Sequence, residues 1–155
     1  MDRRTVLGLA ALALTPRAFA HHGWSSFDQD RPIWIEGKVV TVAWRNPHAE
    51  LEIELPADPK LPADLAQRTL PAQSASVDGP ALLKRAVLPT RRDKRWEVEL
   101  APLTRMDAWK VPEIKVGESV AVLGFTLVGE KGEAVVRAEY LFAGGKVYGL
   151  RSSPA

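Results

Sequence analysis

Beyond residue 32, apolar and polar positions alternate along much of the chain, the two-residue spacing of strands that bury one face. Residues 33–44 are rich in Val, Ile and Trp and are interrupted by Gly37, which predicts a long strand with a bulge or bend at that glycine. Arg45-Asn46-Pro47-His48 follows as a turn, with Asn and Pro in roles they commonly fill. Residues 49–55 alternate strictly, which predicts a strand with a buried face and a solvated face carrying Glu50, Glu52 and Glu54. Alternation returns over 95–100. Between Pro102 and Lys110, Leu103, Met106 and Trp109 recur every third residue and predict one short amphipathic helix. Residues 119–127 form a strand apolar on both faces, and Glu130-Lys131-Gly132 makes a turn. Residues 134–142 give the next strand, with Val136, Ala138, Tyr140 and Phe142 expected inward. Gly144-Gly145 ends it, and 146–150 adds a short edge.

Three strands, a short helix and two strands is the order of an OB-type barrel. The expected fold is therefore mainly β: a small five-stranded OB-like barrel with one short helix between strands 3 and 4. Residues 56–94 depart from this pattern. They hold six of the twelve prolines, an Ala/Ser/Gln-rich centre and the basic end Arg91-Arg92-Asp93-Lys94. Leu82, Leu83, Ala86 and Val87 suit one face of a short helix. With few apolar residues at strand spacing, the segment is expected to be an excursion that the barrel can do without.

The first 20 residues carry a different signal. Met1-Asp2-Arg3-Arg4 precedes an apolar run from Thr5 to Leu14, and Ala18-Phe19-Ala20 supplies a small-residue cleavage site. This is the layout of a secretory signal peptide, too short for a membrane span of about 20 apolar residues. Arg3-Arg4, with Arg17 near the cut, points to the twin-arginine route. Cleavage after Ala20 leaves one domain, 21–155, without a membrane span and destined for the periplasm or the exterior. Three of the 21 basic side chains and one of the 19 acidic ones fall in the signal, so the remainder balances at 18 each. A neutral domain offers no electrostatic footprint for nucleic acid. The chain has no cysteine, which excludes disulfides and thiolate metal sites.

Histidine is confined to His21, His22 and His48. Cleavage after Ala20 would make His21 the N-terminal residue. Its α-amine, with a pKa of about 7.7–8.0, and its ring Nδ1 can then chelate one metal ion together. His48, from the turn, would complete a three-nitrogen set of the histidine-brace kind, with His22 as an alternative or outer contact. Nitrogen donors favour copper, and zinc is the competitor. Met106 offers a thioether, although its spacing with Leu103 and Trp109 suits the core.

His21-His22-Gly23-Trp24 with Phe27, and then Trp44-Arg45-Asn46-Pro47-His48, resembles an uncharacterised family of short exported bacterial proteins, a numbered domain of unknown function. The likeness continues through Arg105, Trp109, Gly117-Glu118 and Gly124; it departs at 56–94, where relatives have a short turn. The resemblance implies a small β-barrel and the same histidine positions, and no established activity. Two functions compete. One is a periplasmic copper-binding protein, with another periplasmic protein as a possible partner. The other is a metal-free OB-type binding or assembly domain for a sugar, peptide or partner protein, with Trp44, Arg45, Asn46 and His48 in contact. No Ser-His-Asp arrangement, phosphate loop or isolated carboxylate pair is visible, so no catalytic residue is assigned and an enzyme is not expected.

Overall fold

The computed structural model describes residues 22–155; the expected signal peptide, 1–20, and His21 lie outside them. Six strands form where the alternation places them: β1 (Ile33–Ala43), β2 (Glu50–Glu54), β3 (Arg95–Glu99), β4 (Ser119–Thr126), β5 (Val135–Ala143) and β6 (Lys146–Gly149). The sheet order is β3-β2-β1-β4-β5-β6, and β3 also pairs in parallel with β5. That added pairing closes the first five strands into a barrel with the strand order of an OB fold. The helix α2 (Leu103–Ala108) lies between β3 and β4, as the three-residue spacing predicts. Its Met106 is fully buried in the barrel core, so the thioether is a packing group.

The barrel interior is filled by inward residues of all five strands, among them Ile35, Ile53, Trp96, Val122 and Val136. Gly37 serves a close approach instead of the expected bulge: a Cβ there would stand 2.3 Å from the Glu54 carbonyl oxygen. The irregularity in β1 falls later, between Val39 and Thr41. In β5 the expected inward set is half correct. Val136 and Ala138 face the interior, but the register with β4 jumps at Leu123/Gly124, pairing Leu123 with Tyr140 and Gly124 with Ala138. The extra residue is Glu139, and the bulge turns Leu141 inward while Tyr140 joins a second apolar cluster outside. Glu139 is completely buried, and its carboxylate accepts from Arg151 at 2.6 and 2.9 Å.

The second cluster shows where the excursion 56–94 meets the barrel. Trp34, Leu123, Phe125 and Tyr140 point away from the interior, and Leu65, Leu82, Leu83 and Ala86 bury against them with Phe27. Three of these four come from α1 (Gly79–Arg85) and the residue after it. Asp78 caps α1, its carboxylate accepting from the Ala81 amide at 3.0 Å, and Pro80 suits the first turn, where its missing N–H costs nothing. Residues earlier in the excursion, ahead of α1, meet the C-terminal tail: the Ser74 amide donates to the Ser153 carbonyl, and the Ser152 amide to the Gln73 side chain. The apolar residues of the excursion lack strand spacing because they dock singly, from a short helix and turns, onto a sheet face that is apolar on its outer side. No helix among the described residues is long and apolar enough to cross a membrane.

Candidate functional site

The outer face of β2, β3 and β5 collects acidic side chains. Outward residues of β2 stand opposite those of β3 as Glu50↔Glu99, Glu52↔Glu97 and Glu54↔Arg95, and Glu99 is next to Arg137 of β5. Directly opposed like charges repel across antiparallel strands. Partial relief comes from Arg137, which pairs with the buried Glu99, and from Arg95, which reaches Glu52 at 3.1 Å and Glu54 at 3.4 Å. The face is therefore half-buried and densely paired, not the freely solvated strand surface that the alternation in β2 suggests. Glu97 is left in the worst position. Burial raises its pKa first, repulsion from Glu50, Glu99 and Glu133 raises it further, and His22 opposes them, leaving it at about 7. Glu50, Glu52, Glu97 and Glu133 line an open depression of about 790 Å³.

Both described histidines border this face. His48 stands just before β2, fixed because the adjacent Ala49 amide bonds to the Ala101 carbonyl, and its Nδ1 lies 3.2 Å from a Glu50 carboxylate oxygen. His22 Nε2 lies 3.3 Å from Glu133, and its ring packs edge-on against Phe27. Arg137 donates to the His22 carbonyl while its guanidinium lies 4.6 Å from the Phe27 ring centre and 5.0 Å from that of Trp24. The start of the described chain is thus clamped by the same arginine that neutralises Glu99. Among the described residues, no group of three or more His, Cys, Asp or Glu side chains is arranged to hold a metal ion unaided.

The other turn residues have structural tasks. Asn46 Oδ1 accepts from the Leu103 amide at 3.1 Å, capping the start of α2, and Trp44 packs against the barrel core. Arg45 is exposed. Arg105 and Trp109 hold the C-terminal tail, donating to the carbonyls of Leu150 and Ser152 at 3.1 and 2.8 Å. Glu97, Glu99, Glu133 and Arg137 were missed as site residues. The alternation of Arg95-Trp96-Glu97-Val98-Glu99 held the signal for the first two, but only strand register brings them opposite β2.

A family model described as a family of unknown function (DUF6152) matches residues 9–61. The matched stretch contains His21, His22 and the turn Trp44–His48; the likeness read at Arg105, Trp109, Gly117-Glu118 and Gly124 lies beyond it. No curated protein and no solved structure matches the chain. The chain is a small β-barrel that shares part of its length with an uncharacterised family.

Proposed function

We propose that this chain is exported, cleaved after Ala20 and binds copper at the outer face of β2, β3 and β5, with zinc as the competing ion. His21 supplies the α-amine and a ring nitrogen, His48 the third nitrogen, and His22 an outer or alternative contact. The observation that carries this reading is the convergence of His22 and His48 on one acidic face, through Glu133 and Glu50, with Glu97 in electrostatic reach of both carboxylates and of His22. A Glu50 carboxylate oxygen 3.2 Å from Nδ1 of His48 places negative charge beside that ring, which favours a cation there. The surrounding carboxylates concentrate cations. The residues described make no complete site alone, so binding requires the amine and ring of His21 and hence the processed chain. A metal-free contact role for the turn is less favoured, because Asn46 is committed to α2 and Trp44 to the core.

The test is a Cu(II) titration of tag-free protein whose N-terminus is verified as His21 by mass, followed by electron paramagnetic resonance. Nitrogen hyperfine structure should appear, and it should simplify in His48→Ala with affinity lowered severalfold or more, each tenfold being about 1.4 kcal/mol. One extra residue before His21 should displace the amine from the chelate and weaken binding further. An extended protein that binds copper as tightly as the processed one refutes the proposal.

A further inference from the structure

A second cleft, of about 630 Å³, opens along the first half of β1 and shares only Glu54 with the acidic residues described above. Its size falls within the range of about 300–1,000 Å³ usual for ligand sites. Trp34, Leu55, Pro56, Pro59, Leu88 and Val116 line it, so the excursion supplies most of one wall. The residues at its floor are the first half of β1, and the backbone there is incompletely paired.

The parity of β1 can be followed bond by bond. The Trp34 amide donates away from β4, to the Val87 carbonyl at 2.9 Å, whereas the Val39 amide donates to Glu118, on the β4 side. Even-numbered residues at this end of β1 therefore direct N–H and C=O away from β4, because the groups of successive residues in a strand alternate between its two edges. At Lys38 those groups meet β2, where Lys38 pairs with Glu54. The next pair in the same ladder would be Glu36 with Pro56. Proline has no N–H, the chain leaves the sheet there, and β2 ends at Glu54. Glu36 thus directs one amide and one carbonyl into the cleft, between the Val87 bridge on one side and the Lys38–Glu54 pair on the other. The indole N–H of Trp34, also buried, has no acceptor among the described residues.

We propose that this cleft binds a short apolar peptide segment, which adds to β1 by pairing one of its own amides with the N–H and C=O of Glu36. The lining is mainly apolar, with Glu36, Lys38, Glu54 and Lys60 also contributing, and favours aliphatic side chains, while a backbone edge with one donor and one acceptor selects a secondary amide over a plain hydrocarbon. The gap admits one hydrogen-bonded pair, so the occupant is a few residues long and enters extended.

The experiment is a titration of the purified protein with N-acetyl-Val-Leu-Val-amide, followed by two-dimensional ¹H–¹⁵N NMR. Shifts should concentrate at the Glu36 amide, the Trp34 indole and Val116. An analogue with an ester oxygen replacing the central N–H should bind about two- to tenfold more weakly, the effect of one hydrogen bond. Val116→Asp, at a rim position 64% exposed, should weaken binding without moving the melting temperature. Shifts centred elsewhere, equal affinity for the ester analogue, or no binding up to the peptide's solubility limit would each overturn the proposal.

Discussion

Replacing Leu83 by Ala tests whether the excursion is part of the folded core. Leu83 sits in α1, 2% exposed, within the cluster that covers Trp34, Leu123 and Phe125. Removing a fully buried leucine side chain loses its transfer free energy and leaves a cavity, at a combined cost of about 2–5 kcal/mol. A short surface helix collapses more readily than a barrel interior, so a value near the lower end, about 2–3 kcal/mol, is expected here. Against a total stability of about 5–15 kcal/mol for a domain, that is a large fraction. Urea unfolding followed by tryptophan fluorescence should show one transition with a lower midpoint and an unchanged slope. Leu61→Ala, at a position 39% exposed, is the control and should stay within about 0.5 kcal/mol of the parent. A loss below about 0.5 kcal/mol at Leu83 would mean that the excursion rests on the barrel without stabilising it. A separate early transition would mean that it unfolds as its own unit.

Two carboxylates make opposite predictions with pH. Glu130 accepts hydrogen bonds from the amides of Thr90 and Arg91, the Thr90 hydroxyl and Arg31, which overcome burial and hold its pKa at about 2. A depressed carboxylate stabilises the fold above its ordinary value of 4.5, and this is lost as pH falls through about 2. Glu130→Gln should therefore cost up to roughly 3 kcal/mol at pH 7 and progressively less as pH falls from 4.5 towards 2. A stability difference independent of pH across that window would refute the assignment. Glu97 works in the other direction: with its pKa raised to about 7, the fold is unpenalised below 4.5 and loses stability as pH rises through 7. Glu97→Gln should gain roughly 1 kcal/mol at pH 8 after allowance for solvent screening of a half-buried group, and nothing at pH 4, by thermal melts at both values.

The strands were legible because each buries one face at two-residue spacing, and the single signal that ran against that spacing was informative too. Residues 119–127 are apolar on both sides, and a strand of that kind needs cover outside as well as a barrel inside. The cover was present in the chain as Leu65, Leu82, Leu83 and Ala86. It was hard to read because residues that dock from a short helix and turns follow no common period. Glu139 was a comparable clue: a carboxylate in an apolar run cannot be buried unpaired, and its partner Arg151 lies 12 residues on. The bulge at Glu139 reverses which residues of β5 face the interior, which a strict alternation cannot express.

The acidic face shows why a site is harder to read than a fold. His48 and Glu50 are two residues apart and their contact is local, whereas the rest depends on register. Glu97 and Glu99 come opposite β2 only once β2 and β3 pair, and Arg137 meets Glu99 only once the barrel closes through β3 and β5. That closure also brings in the N-terminal segment. Arg137 binds Glu99, donates to the His22 carbonyl and stacks near Phe27 and Trp24, so the parallel β3–β5 pairing that completes the barrel also docks the chain at His22 beside Glu133. Arg137 consequently has a structural reason to be present without any metal, since it neutralises a buried carboxylate and anchors an aromatic segment. Glu97 has no such partner. Among the outward residues of β3 it alone has no cation paired to it among the described residues, whereas Arg95 and Glu99 are both in ion pairs. A fold under pressure only for stability gains nothing from a carboxylate held at about 7 between two others, and that cost is the physical ground for seeking a cation at this face.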